Sequence, residues 1–241
     1  MVDPRTLKAL TFDTGGTILD WHRGIAATLA ETGARRGVTA DWAAVTNDYR
    51  RRALKGMTRQ VRPAFNIDGV HRRVLDELAS EHGWSSFTEE DRMAIQCAWH
   101  ALDAWHALDA WPDFAPALAR LRRHHVVASF TILSTALIVD VSRRNGFAWD
   151  AVVSCEMIGS YKTNPEAYVT CAQWLGLRPD EILMVACHNF DLLAAQKVGY
   201  RTAFVRRPDE WGNAGPPDPT PDPGLDIVVD DFGQLADRLG C

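Results

Sequence analysis

Four short polar segments of this 241-residue chain carry residue types suited to nucleophilic chemistry on a small ligand. The first reads FDTGGTILDW over Phe12–Trp21. In it a carboxylate, Asp13, ends an apolar run just before the glycine pair Gly15 and Gly16. Glycines there leave backbone amides free to approach a ligand, and Thr17 can hydrogen-bond the carboxylate. Asp13 is thereby placed as a nucleophile, against the alternative of an aspartate that caps the following helix. The other segments are TILST, ending at Ser134 and Thr135, GSYKTNPEAY, which contains Lys162, and VACHNFDLLAA, which contains His188, Asn189 and Asp191. Each lies at or just beyond the end of a predicted strand.

The elements that must position these groups follow from hydrophobic patterning. Short apolar runs predict strands over Leu7–Phe12, Val126–Leu133, Asp150–Cys155, Glu181–Ala186, Tyr200–Val205 and Asp226–Val229. Helical stretches at Ala136–Asn145, Pro165–Leu175 and Asn189–Val198 alternate with them. The expected fold class is therefore α/β, a doubly wound, Rossmann-like parallel sheet whose functional groups gather at the carboxyl ends of the strands. Residues 21–110 break the alternation with helical signals alone, at Gly24–Arg36, Asp41–Lys55, Gly69–His82 and Glu89–Leu108. The expected organisation is a catalytic core of residues 1–20 and 111–241 with a helical cap of residues 21–110 inserted after the first strand. Such an insertion sits over the strand ends, where it can exclude water; a separate helical domain without a catalytic part is the alternative.

Composition narrows the function classes. With 46% hydrophobic residues, 24% charged residues and a formal net charge of −5, the chain reads as globular and has no extended basic face to recruit nucleic acid. Residues 126–139 form its longest uncharged apolar stretch, shorter than the ~20 residues a membrane-spanning helix needs, so no membrane partner is expected. The opening MVDPRTLKALTFD scatters charges where a secretory signal needs an apolar stretch, which points to the cytoplasm. The five cysteines lack any CxxC spacing, against a disulfide frame or zinc ribbon. WHALDA occurs twice, at Trp99–Ala104 and Trp105–Ala110. A six-residue offset turns a helix by about 600°, so His100 and His106 point about 120° apart and make a poor metal pair. The run PPDPTPDPG, Pro216–Gly224, reads as an extended surface connection.

FDTGGTILDW resembles the first motif of the haloacid dehalogenase superfamily, and its continuation DWHRGI is similar to the type II L-2-haloacid dehalogenase branch. The remaining motifs follow in the family's order: Ser134 in TILST, Lys162 in GSYKTNPEAY with Tyr168 six residues later, and Asp191 in VACHNFDLLAA. HNFD resembles a subgroup with His before the last acid. The family's phosphatases differ at identifiable positions. They carry a second acid in the first motif as general acid, where this chain has Gly15. They also hold Mg²⁺ with acids of the fourth motif, where this chain has Cys187, a poor ligand for a hard cation.

The resemblance implies hydrolytic dehalogenation of short 2-haloalkanoic acids to 2-hydroxy acids through an aspartyl ester on Asp13, with no cofactor and no metal. Lys162 would keep Asp13 ionised, and Asp191 with Lys162 would polarise the hydrolytic water. Ser134, Thr135, Thr17, Tyr168, His188 and Asn189 would surround the substrate. An arginine of Arg50, Arg51 and Arg52 would receive the halide, with Arg52 favoured by its RAL context; Trp21 and Tyr49 would be pocket walls. The small-molecule partner would be a 2-halo acid, and a homodimer stays open as the assembly. A Mg²⁺-dependent phosphatase and a non-catalytic relative are the competing readings.

Overall fold

The computed structural model describes residues 3–60, 66–100, 108–213, 215–216 and 219–241. Its first strand, β1 (Ala9–Phe12), is wholly buried and pairs in parallel with β2 (Val126–Thr131) on one side and β4 (Ile182–Ala186) on the other. A strand covered on both faces must be continuously apolar or neutral, which is what ALTF supplies. With β3 (Ala151–Ser154), β5 (Arg201–Val205) and β6 (Ile227–Val229), the described residues form one six-stranded parallel sheet in the order β3-β2-β1-β4-β5-β6. The chain therefore has the expected Rossmann-like α/β fold. The order reverses beside β1, so a crevice opens beyond the carboxyl ends of the central strands.

Helices α1 (Trp21–Arg36), α2 (Trp42–Met57), α3 (Ile67–Glu81) and α4 (Glu89–Cys97) separate β1 from α5 (Phe114–Leu121). Local chemistry starts each of the first three: Asp20, Asp41 and Asn66 accept from the backbone amides of Arg23, Ala44 and Gly69. Thr88 and Asp91 form a capping box on α4. The remaining helices are α6 (Thr135–Asn145), α7 (Cys155–Ile158), α8 (Pro165–Leu175), α9 (Asn189–Val198) and α10 (Phe232–Arg238). No helix among the described residues is long and apolar enough to cross a membrane.

Three boundaries differ from the sequence expectation for physical reasons. Strand β2 stops at Thr131, because the Leu133 amide donates to Thr131 Oγ1 (3.0 Å) and turns the chain toward the α6 cap. Helix α1 begins at Trp21 rather than Gly24, since Asp20 supplies a cap that composition alone did not single out. Helix α4 ends at Cys97 and passes into a 3₁₀ turn, Ala98–His100. The second WHALDA copy as far as Ala107, with His106, and Pro217 and Asp218 of the proline-rich run lie outside the described residues.

Beside β1, an aromatic cluster holds the sheet to α5 and α10. Phe114 meets Phe12 at 5.5 Å, Phe147 at 4.9 Å and Phe232 at 4.8 Å between ring centroids, all edge-on, which is the arrangement ring quadrupoles favour. Phe114 is fully buried. Phe114→Ala is expected to destabilise the protein by about 3–5 kcal/mol, the usual cost of a cavity of that size. Urea unfolding followed by tryptophan fluorescence measures this; a loss under about 1 kcal/mol would show that the cluster does not anchor the sheet.

Candidate active site

Three strand ends deliver a charged cluster to the crevice. Asp13 follows β1, Lys162 follows β3 by way of α7, and Asp191 lies in the first turn of α9 just beyond β4. All three are buried. Lys162 Nζ lies 3.3 Å from Asp13 Oδ1 and 2.8 Å from Asp191 Oδ2, so one ammonium bridges two carboxylates. Tyr168 donates its hydroxyl to Asp191 Oδ1 at 2.5 Å, and Thr17 donates to Asp13 Oδ2 at 2.7 Å while accepting from the Cys187 amide at 3.1 Å.

A second chain of charge enters from β4 and β5. His188 Nδ1 is 3.3 Å from Asp13 Oδ2, and its Nε2 is 3.0 and 3.1 Å from the two oxygens of Glu210, in the loop after β5. Glu210 also accepts from Trp21 Nε1 at 3.2 Å. Its carboxylate lies where a β-carbon on Gly16 would stand, at 2.0 Å from Oε1, and Gly16 has φ +97°. A glycine is therefore required there by both space and backbone conformation.

The electrostatics follow from these contacts. Burial alone would raise the Asp13 carboxyl, but the Lys162 charge and then His188 and Thr17 outweigh it and hold the group far below the usual carboxylate range. Asp191 is pushed upward, by burial first and by the Asp13 charge, despite sharing the same ammonium. His188 is held well above its ordinary value: burial opposes its charge, but the contact of its Nε2 with Cys187 Sγ and the carboxylates of Glu210 and Asp13 prevail. The Cys187 thiol is pushed up to about 11, chiefly by burial. The resting site thus pairs an ionised Asp13 with two cations, Lys162 and His188.

These groups open into a cavity of about 240 Å³ whose walls include Gly15, Leu54, Ile132, Phe190 and Trp211. Arg50 of α2 also faces it. That arginine is buried, its guanidinium carbon lies 5.3 and 5.5 Å from the ring centroids of Trp21 and Trp99, and its Nε and Nη1 have no hydrogen-bond partner among the described residues. A β-carbon on Gly15 would stand 2.8 Å from Arg50 Nη2, so the absent side chain is what lets the guanidinium in. A buried cation with unused donors beside a nucleophile is a receptor for an anion.

Several sequence expectations land elsewhere. Arg52 does not face the cavity; it pairs with Asp48 at 2.9 Å and Glu81 at 2.7 Å, because two residues along a helix turn it to nearly the opposite side from Arg50. Ser134 caps α6 by accepting from the Leu137 amide, and the Thr135 amide donates to Glu156; Ile132 of the same loop lines the cavity instead. Asn189 is occupied with the proline-rich connection, donating to the Thr220 carbonyl and accepting from the Asp222 amide. Tyr49 is buried behind Arg50 with its hydroxyl donating to the His71 carbonyl, and Trp21 backs the site rather than lining it. Glu210 and Trp211 were not singled out from sequence. The available signal was a carboxylate, in RRPDEW, just past the end of a fifth strand.

The donor set does not suit a hard divalent cation. The gap between Asp13 and Asp191 that Mg²⁺ would need is spanned by the Lys162 ammonium, and the position at the end of β4 offers a thiol where an oxygen is required.

Comparison with known proteins agrees with this geometry. A family model for haloacid dehalogenase-like hydrolases matches residues 7–199. The chain is 28% identical over 214 residues to the (S)-2-haloacid dehalogenase 4A of Burkholderia cepacia, covering 86% of this chain and 85% of that protein. It superposes on a solved L-2-haloacid dehalogenase with a TM-score of 0.87 at 30% identity, over 97% of this chain and 99% of the other. A solved defluorinating L-2-haloacid dehalogenase gives a TM-score of 0.88 at 31% identity, over 100% and 99% of the two chains. The sheet order, the site at its switch point and the match over most of the chain make this protein a member of the haloacid dehalogenase-like hydrolase family.

Proposed function

We propose that the protein hydrolyses short 2-haloalkanoic acids to 2-hydroxy acids, with Asp13 as nucleophile and residues 21–110 acting as a cap over a core of residues 1–20 and 111–241. The observation that carries this reading is the buried Asp13 carboxylate, 3.3 Å from both Lys162 and His188 and sharing the cavity with the Arg50 guanidinium, whose Nε and Nη1 have no hydrogen-bond partner among the described residues. Displacement at carbon needs a carboxylate anion, a receptor for the departing halide and a dry cavity, and it needs no metal.

In the first half-reaction Asp13 Oδ1, which among the described residues is contacted by Lys162 alone, attacks the carbon bearing the halogen from the side opposite the C–X bond. The C–O bond forms as the C–X bond breaks, and the halide leaves toward Arg50. Asp13 loses its charge in becoming an ester, which removes one of the anions that keep His188 protonated. The Nδ1 proton of His188 then leaves with the halide, so the balance is one ester, one H⁺ and one X⁻. In the second half-reaction neutral His188 accepts a proton at Nδ1 from water as that water attacks the Asp13 carbonyl carbon. Its Nε2–H remains donated to Glu210, which stabilises the imidazolium being formed. The acyl C–O bond breaks, the second proton of the attacking water passes to the departing alkoxide, the 2-hydroxy acid leaves, and the Asp13 anion and charged His188 are restored. Asp191, held by Lys162 and Tyr168, fixes the ammonium from the cavity wall.

Purified protein should release halide from chloroacetate or 2-chloropropionate, keep that activity after exhaustive chelation, and turn over aryl phosphates negligibly with Mg²⁺ present. Phosphate release without halide release across chloro-, bromo- and fluoro-acids would overturn the assignment. The His188 role is tested by NMR titration of its imidazole. The midpoint should lie above the ordinary 6.5, and Glu210→Gln should bring it down by about 1 to 3 in pH, as removal of an adjacent anion does. Because the folded midpoint exceeds the unfolded one, protonated His188 contributes stability fully below pH 6.5 and loses it as pH rises through the folded value. A midpoint at or below 6.5 would contradict the charged dyad.

A further inference from the structure

We infer that Cys187, His188 and Glu210 form a binding site for a thiophilic divalent cation of the zinc type, and that its occupation stops the hydrolytic half-reaction. The second clause rests on the role given to His188 above; the first does not. The thiol has no part in the chemistry proposed for the site. It is nonetheless buried at 2% exposure beside the catalytic imidazole, in a cluster whose three donor groups lie within 4.8 Å of one another.

The geometry is that of one face of a coordination tetrahedron. Bond lengths of about 2.3 Å to sulfur and about 2.0–2.2 Å to nitrogen and oxygen put tetrahedral donors about 3.2–3.6 Å apart. Here Cys187 Sγ is 3.4 Å from His188 Nε2 and 3.6 Å from Glu210 Oε2, and Nε2 is 3.1 Å from that oxygen, the one edge that a bound ion would lengthen by a few tenths of an ångström. The supporting groups are also in place. A metal-bound imidazole needs its other nitrogen donated to an acceptor, and Nδ1 faces Asp13 Oδ2 at 3.3 Å. A ligating carboxylate is steadied by a hydrogen bond, and Trp21 Nε1 gives one to Glu210 at 3.2 Å. His188 and Glu210 line the cavity, so the fourth position can be taken by water.

Charge balance favours the exchange. In the resting cluster a neutral thiol, an imidazolium and a carboxylate sum to zero. Entry of M²⁺ displaces two protons to solvent, one from Cys187 Sγ and one from His188 Nε2. The occupied cluster of thiolate, neutral imidazole, carboxylate and M²⁺ also sums to zero, so no net charge is added to a buried site. A soft thiolate with imidazole selects zinc-like ions over Mg²⁺. In that state Nδ1 keeps the proton it donates to Asp13 while Nε2 is bound to the metal, so His188 can no longer take a proton from water.

Co²⁺ titration of the full chain tests the site directly. The expected result is a thiolate-to-cobalt charge-transfer band that saturates at one equivalent per chain, is abolished by Zn²⁺ and is missing from Cys187→Ser. Glu210→Gln, which keeps the thiol, should weaken binding by roughly tenfold or more. Absence of the band in the wild-type protein, the same band in Cys187→Ser, or unchanged affinity in Glu210→Gln would each overturn the site. In turnover, Zn²⁺ should inhibit halide release by the wild-type protein after the first equivalent and leave Cys187→Ser at its basal rate. Saturating Zn²⁺ without inhibition would overturn the second clause. A protein that shows the cobalt band but dehalogenates nothing would refute the substrate assignment and leave the metal site standing.

Discussion

The site depends on one ammonium shared between two buried carboxylates. Lys162 cannot leave the Asp13–Asp191 gap without stranding two anions away from water, and it cannot stay charged there without them. That mutual requirement fixes where β1, β3 and β4 must end relative to one another. It also decides which carboxylate reacts. Both line the cavity, but Asp191 is immobilised at its two oxygens by Lys162 and by the Tyr168 hydroxyl, whereas Asp13 Oδ1 is held, among the described residues, by the ammonium alone. The second cation, His188, performs the same service for Asp13 Oδ2 and is itself balanced by Glu210. Counting Arg50 and Lys55, four cations line the cavity against three carboxylates, and that surplus of one positive charge suits a monoanion better than a phosphate ester that brings more charge.

Helix α2 completes the site from outside the sheet. Its buried stripe, Val45, Tyr49, Ala53 and Met57, packs into the helical layer and so fixes the rotation of the helix. Arg50 falls on the edge of that stripe and enters between Trp21 and Trp99, while Arg52 falls outside and pairs with Asp48 and Glu81. The loop after β5 ties both halves together: Asn47 of α2 donates to the Trp211 carbonyl, and Arg207 donates to the Thr17 carbonyl and pairs with Asp113. The anion receptor and the nucleophile are therefore referenced to one loop.

Much of this was legible in the sequence because parallel strands announce themselves. Apolar runs followed by polar segments located Asp13, Lys162 and Asp191 at strand ends, and the alternation with helices required those ends to share one edge. What stayed hidden depends on side-chain direction and on loops. The choice among Arg50, Arg51 and Arg52 is a question of helix phase; the four-residue spacing of Val45, Tyr49 and Ala53 held the answer, and the local RAL context pointed away from it. The sequence suggests Ser134, Thr135 and Asn189 as ligand contacts, whereas the Ser134 side chain caps α6, Asn189 ties a loop and the Thr135 amide is bonded to Glu156, the commonest use of short polar residues beside backbone. Glu210 comes from an irregular loop, and only the close approach permitted by Gly16 brings it to His188. Resemblance supplied the order of the motifs; the pairing of His188 with Glu210 came only from three dimensions.

The central claim is that Asp13 is consumed and restored in each cycle as a covalent ester. A single turnover with enzyme in excess over 2-chloropropionate in H₂¹⁸O, followed by mass analysis of the peptide containing Asp13, tests it most directly. Hydrolysis at the Asp13 carbonyl carbon places heavy oxygen in the Asp13 carboxylate and leaves the first-turnover hydroxy acid unlabelled. Heavy oxygen in the product with none in Asp13 would mean that water attacks the substrate carbon itself, and the account built on the Lys162-bridged nucleophile would fail.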